Sequence, residues 1–111
     1  NYIATIDVNR QQIDGPTDEV MAMGSIRKKF EAFGWEVMDI QEGNDMQAVM
    51  TGMQKAKTLT GNGKPVCVLL HTEMGYGVDF MQGTHHWHGK APNDDQLANA
   101  LGQLEESIGD Y

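Results

Sequence analysis

The chain has 111 residues, 8 basic and 16 acidic, and a net charge of −8; 40% hydrophobic and 22% charged residues suit one folded domain and exclude wholesale disorder. The acidic balance excludes a general nucleic-acid binder and a chain drawn to anionic membranes, since both need clustered Lys and Arg. The single cysteine, Cys67, excludes an internal disulfide framework or a cysteine zinc site and points to a reducing, cytoplasmic compartment.

No stretch approaches the roughly 20 apolar residues of a membrane helix. No basic region followed by an apolar core marks a signal peptide at the start. The chain opens without Met, directly in an apolar run, and so reads as part of something longer.

In chain order, Tyr2 to Val8 is β-branched at Ile3, Thr5, Ile6 and Val8 and predicts a strand. Asn9 to Thr17, rich in polar residues, Gly and Pro, predicts a loop. Ser25 is placed to cap a helix running to about Phe33, with Gly34 at its end and Ile26, Phe30 and Phe33 along one face. Trp35 to Ile40 alternates as a second strand. Asn44 is placed to cap a second helix to about Lys57, with an apolar stripe of Met46, Val49, Met50 and Met53 read as core packing. Gly61-Asn62-Gly63 is a turn. Pro65 to Leu70 is a continuous apolar run, the pattern of a parallel strand covered on both faces, with Cys67 inert inside it. His71 to Pro92 is a long glycine-rich loop holding all four histidines. Asn93 is placed to cap a last helix to about Ile108, with Leu97, Leu101, Leu104 and Ile108 on one face.

Strands alternating with helices predict an α/β fold with a parallel sheet and flanking helices. Three buried-type strands are few for such a sheet, so it is expected to continue in residues beyond these or in another chain.

Ligands of parallel sheets gather at the carboxyl ends of the strands. Two segments leave such ends. In the first, Asn9 is the first polar residue after an apolar strand; its amide oxygen and a loop carbonyl are hard ligands suited to Mg²⁺ or Ca²⁺, and an ordinary Asx turn is the other reading. The second is Gly83-Thr84-His85-His86-Trp87-His88-Gly89-Lys90, with three histidines and a lysine in six residues. It suits a shared metal ion between His88 and either His85 or His86, anion binding by His and Lys, proton transfer, or plain solvation. Tyr76, between Gly75 and Gly77, lies early in the same loop. The two segments are expected to share a pocket.

Asp7-Val8-Asn9 followed by Ile13-Asp14-Gly15-Pro16-Thr17 resembles the segment closing the thiamine-diphosphate motif of transketolases. Phe30 to Gly34 followed by Trp35 to Ile40, then Gly75-Tyr76-Gly77-Val78 and Trp87-His88-Gly89-Lys90-Ala91-Pro92-Asn93-Asp94, are similar to the family's next stretches. The resemblance covers essentially all 111 residues in order. It implies the latter half (1–111) of the diphosphate-binding domain and transfer of a two-carbon ketol unit between sugar phosphates, with thiamine diphosphate and Mg²⁺ (or Ca²⁺) as cofactors. By residue, it implies Asn9 and the Gln11 backbone oxygen as cation ligands and Ile13 packed near the thiazolium ring. It also implies His88, and less firmly His85, at the reacting end, and Lys90 as an anion contact. The family's Gly-Asp-Gly, which carries a further metal ligand, and its activating glutamate are not among these residues. The implied partners are therefore the remaining segments or a separate chain carrying the pyrimidine-binding domain, in an assembled dimer. A chain with this half of the site is expected not to hold the cofactor tightly alone. The rival expectation is a non-catalytic α/β interaction or metal-binding module using the His-rich loop.

Overall fold

The computed structural model describes residues 1–105. Strands β1 (Ile3–Asp7), β4 (Glu36–Ile40) and β5 (Val66–Leu70) form one parallel sheet in the order β1-β5-β4. The continuous apolar run thus becomes the central strand, as its composition predicts.

Alternation along β5 divides the core into two layers. Val66 and Val68 face α3 (Met46–Leu59) and pack with Ile40 and Ala56. Cys67 and Leu69 point the other way and pack with Val37, Ile26, Phe30 and Trp35 beneath α2 (Ile26–Ala32). Helices therefore cover both faces. Val66, Cys67 and Val68 have no exposed surface.

The caps follow from local chemistry. Ser25 Oγ accepts from Lys28 N, and Asn93 forms a capping box with Gln96 at the head of α4 (Asp94–Gln103). Gly34 follows α2 in the left-handed region at φ 83°.

Four details differ from the sequence expectation. The cap of α3 is Asp45, not Asn44, because the Asn44 side chain instead accepts from Glu73 N, 29 residues away. The stripe of α3 is Val49, Met53 and Ala56, while Met46 and Met50 face outward. At Gly52 a Cβ would lie 2.3 Å from Ile40 Cδ1, so the missing side chain lets that face of the helix sit on the strand. Phe33 is the exposed C-cap of α2 rather than part of its buried face. Helix α4 ends at Gln103, with Leu104 extended; Gly102 and the acidic Glu105 both disfavour continuation at a negative helix end. Ile108 lies outside the described residues, and Leu97 and Leu101 are exposed.

The loop after β1 is also more ordered than expected. It contains a two-residue hairpin, β2 (Gln11–Gln12) with β3 (Gly15–Pro16), then a short turn of helix α1 (Thr17–Val20). A further short 3₁₀ turn spans His85–Trp87.

Candidate functional site at the carboxyl ends of the strands

Two cavities open at the carboxyl ends of the strands and share a wall. One, of about 510 Å³, lies between the Asn9 segment, the 41–45 loop and residues 71–76. The other, of about 690 Å³, lies between the Asn9 segment and the start of α2. Val8, Asn9, Arg10, Gln11 and His71 line both.

Asn9 forms the expected Asx turn, its Oδ1 accepting from Gln11 N at 2.9 Å. Arg10 between them stands at φ 61°, a left-handed conformation uncommon for a residue with a side chain. Such strain persists where the surroundings enforce it, often at a ligand site. Here the hairpin enforces it, since Arg10 O accepts from Thr17 N at 2.9 Å.

That bond also sets the hairpin's alternation. Arg10 faces Thr17 in a hydrogen-bonded pair, so the next pair, Gln11 opposite Pro16, is not hydrogen-bonded. The Gln11 carbonyl therefore points away from β3, and Pro16, without an N–H, loses no bond there. Asn9 Oδ1 retains a second lone pair. Two neutral hard oxygens beside each other, one pinned by a turn and one turned out of its ladder, fit a divalent cation's donor set. Gln11 Oε1 is buried without a hydrogen-bond partner among the described residues.

Gln11 also ties the two predicted segments together, its Nε2 donating to Gly83 O at 3.3 Å. Gly83 and Tyr76 line the 510 Å³ cavity with Asn9. Ile13 sits at the hairpin tip, 67% exposed. His85, His86, His88 and Lys90 do not line either cavity. They lie on the 3₁₀ turn and the residues after it, just beyond Gly83. The His85 and His86 rings stand 4.2 Å apart, and the Lys90 ammonium lies 4.8 Å from the Trp87 ring. Trp87 is anchored by its Nε1 donating to Phe80 O at 2.8 Å. Among the described residues, no group of three or more His, Cys, Asp or Glu is placed to hold a metal ion.

One charged network was not expected from the sequence. Asp39, near the end of β4, accepts from His71 Nε2 at 2.7 Å and pairs with Arg27 through its other oxygen. Arg27 also donates to Val37 O at 2.9 Å and to Glu31 at 3.1 Å. Burial alone pushes the Asp39 carboxyl up, but the hydrogen bonds from His71 and Arg27 outweigh it and hold the group below its ordinary 3.8. A carboxyl depressed on folding stabilises the fold fully above its unfolded value and loses that contribution as pH falls through the folded one. Asp39→Asn is therefore expected to cost about 1 kcal/mol at pH 7, after allowing for solvent screening, and progressively less below pH 3.8. Urea midpoints of the two proteins at pH 7 and pH 3 measure this; a gap that widens in acid would refute it.

Known proteins share this fold. The family model described as "Transketolase, thiamine diphosphate binding domain" matches residues 1–106. An apulose-4-phosphate transketolase component from Phocaeicola vulgatus is 36% identical over 108 residues, covering 97% of this chain and 37% of that protein. The 6-deoxy-6-sulfo-D-fructose transketolase subunit SqwG of a Clostridium species is 33% identical over 106 residues, covering 96% and 38%. The crystal structure of transketolase from Pichia stipitis with sedoheptulose 7-phosphate superposes with a TM-score of 0.78 at 30% identity, covering 90% of this chain and 14% of that one. The chain thus spans little more than a third of the length of these curated relatives.

Proposed function

The chain belongs to the transketolase family through its thiamine-diphosphate-binding domain, and on that footing we propose that it is the diphosphate-holding component of a transketolase, the latter half of that domain. In this reading it works in transfer of a two-carbon ketol unit between sugar phosphates. The observation that carries the reading is the pairing of the Asn9 Asx turn with the outward Gln11 carbonyl at the carboxyl end of β1.

Asn9 Oδ1 and the Gln11 carbonyl would hold Mg²⁺ (or Ca²⁺), whose charge would offset the diphosphate against the chain's overall negative sign. Ile13, exposed at the hairpin tip, would offer an apolar surface to the thiazolium ring. When bound, thiamine diphosphate supplies an electron sink for a carbanion. His88, with His85 beside it, moves protons at the reacting end, and Lys90 meets a substrate anion. The Lys90 ammonium stands over the Trp87 ring and has no salt-bridge partner among the described residues.

The rest of the site comes from further segments or a second chain carrying the pyrimidine-binding domain, assembled as a dimer. Relatives that are themselves named as single subunits of a transketolase support such a division. No helix is long and apolar enough to cross a membrane among the described residues, and the lone buried thiol of Cys67 suits a cytoplasmic enzyme.

The test is a transfer assay on the assembled protein, with a ketose phosphate donor and an aldose phosphate acceptor. Ketol transfer that needs both thiamine diphosphate and Mg²⁺ is expected. No transfer and no cofactor-dependent rise in melting temperature, with zinc retained through purification, would favour the binding module instead.

A further inference from the structure

The Arg27–Asp39–His71 network has no part in the reading above, yet His71 stands in the wall common to both cavities. Its backbone is fixed on two sides. His71 N donates to Ile40 O at 3.0 Å, and His71 O accepts from Gly43 N at 2.9 Å. The 41–45 loop approaches so closely that a Cβ at Gly43 would lie 2.6 Å from His71 O. The side chain is fixed too. A carboxylate can only accept, so the ring nitrogen facing Asp39, Nε2, carries the proton. Arg27 occupies the other carboxylate oxygen and keeps Asp39 from turning. In the neutral ring Nδ1 is then a lone pair, and it has no hydrogen-bond partner among the described residues.

A lone pair held in that place discriminates. It repels a phosphate oxygen, which has no proton to offer, and it accepts from a hydroxyl. The surrounding cavity wall carries neutral polar side chains at Gln41, Asn44, Thr72 and Tyr76 and carboxylates at Glu42, Asp45 and Glu73, with Arg10 as a cation on the Asn9 segment. Such a wall suits a polyhydroxylated ligand.

We propose that His71 is a specificity-determining residue whose Nδ1 accepts a hydrogen bond from a sugar hydroxyl, with Asp39 and Arg27 as the positioning residues that fix its tautomer. The identity of that hydroxyl compound as a ketose phosphate rests on the transketolase reading.

Two amides separate the ring's two functions. His71→Gln places a donor near the Nε2 position and keeps the bond to Asp39 while losing the acceptor at Nδ1. His71→Asn does the reverse. In the assembled enzyme, His71→Gln is expected to raise KM for the ketose phosphate about tenfold, the effect of one lost hydrogen bond, with kcat and melting temperature unchanged. His71→Asn is expected to stay within about threefold of wild type, and Asp39→Asn to raise KM by a few-fold as the tautomer is freed. Calorimetric titration with the same ketose phosphate gives a readout independent of turnover, and the His71→Gln penalty should vanish for the deoxy analogue lacking the hydroxyl concerned. Wild-type transfer with an unchanged KM in His71→Gln overturns the inference and leaves the reading intact. So does an equal rise in both His71 variants accompanied by a lower melting temperature, which is a structural role. A wild-type protein that neither transfers ketol units nor binds the sugar phosphate overturns both.

Discussion

Asn9→Ala is expected to weaken Mg²⁺-dependent binding of thiamine diphosphate to the assembled protein by about a hundredfold, the upper end of what changes around a metal ligand cost. Two effects combine. The amide oxygen leaves the donor set, and the Asx turn that pins Gln11 N at 2.9 Å is lost. Without that turn, Arg10 has less to hold it at φ 61°, and the Gln11 carbonyl loses its fixed direction. Asn9→Asp separates the effects: it keeps the turn's acceptor and an oxygen for the cation, and it should retain most of the affinity. Unfolding of the cofactor-free protein should change by only about 1 kcal/mol in Asn9→Ala, since one hydrogen bond at a part-exposed turn is at stake. Titration calorimetry at saturating Mg²⁺ is the measurement. Wild-type affinity in Asn9→Ala would remove Asn9 from the cation site.

What could be read from the sequence was local. The Val66-to-Leu70 run announces a strand covered on both sides, and Ser25, Gly34 and Asn93 mark helix ends by chemistry confined to a turn. The hairpin in the Asn9 loop leaves no signature in the sequence, because its strands are two residues long and one contains Pro16, so no alternation can develop. Asn44 and Asp45 are both good caps, and the choice is made by Glu73 far along the chain. The outward turn of Met46 and Met50 is likewise a tertiary effect, set by Gly52 against Ile40.

The Arg27–Asp39–His71 network is the instructive miss, because its partners lie 12 and 32 residues apart. A signal was nevertheless available. Asp39 falls on the same strand face as Trp35 and Val37, an unusual place for a charge. Register pairs Asp39 with Leu69, so His71, two residues on, emerges on that same face. The βαβ connection through α3 makes β4 and β5 neighbours, and that adjacency brings Asp39 and His71 together. The geometry of the 83–90 loop could not be read in this way. Its glycines permit many paths, and the structure sets its histidines beside the cavities rather than in their walls.

Val68→Asp is expected to prevent folding altogether. Val68 has no exposed surface; it faces α3 at the centre of β5, between Thr5 of β1 and Met38 of β4. A carboxylate there finds no cation or donor in the Ile40, Ala56 and Val66 cluster, and an unpaired buried charge costs more than the 5–15 kcal/mol or so that holds a domain together unless it is neutralised. Even neutral, the acid leaves unsatisfied oxygens and displaces the valine's packing. Val68→Ala makes only a small cavity and is expected to fold with a loss of about 1–3 kcal/mol. Leu97→Asp, on the exposed side of α4, should stay within about 0.5 kcal/mol of wild type. Urea unfolding of the three variants, followed by circular dichroism, ranks them; a Val68→Asp protein that melts like wild type would mean that β5 is not sandwiched between helices. The same strand links stability to chemistry. The end of β5 delivers His71, and its pairing with β1 places Asn9 alongside, Val8 N donating to Leu70 O at 2.7 Å. A core loosened at Val68 should therefore disturb cofactor and sugar binding together, whereas Asn9→Ala and His71→Gln should each disturb only one.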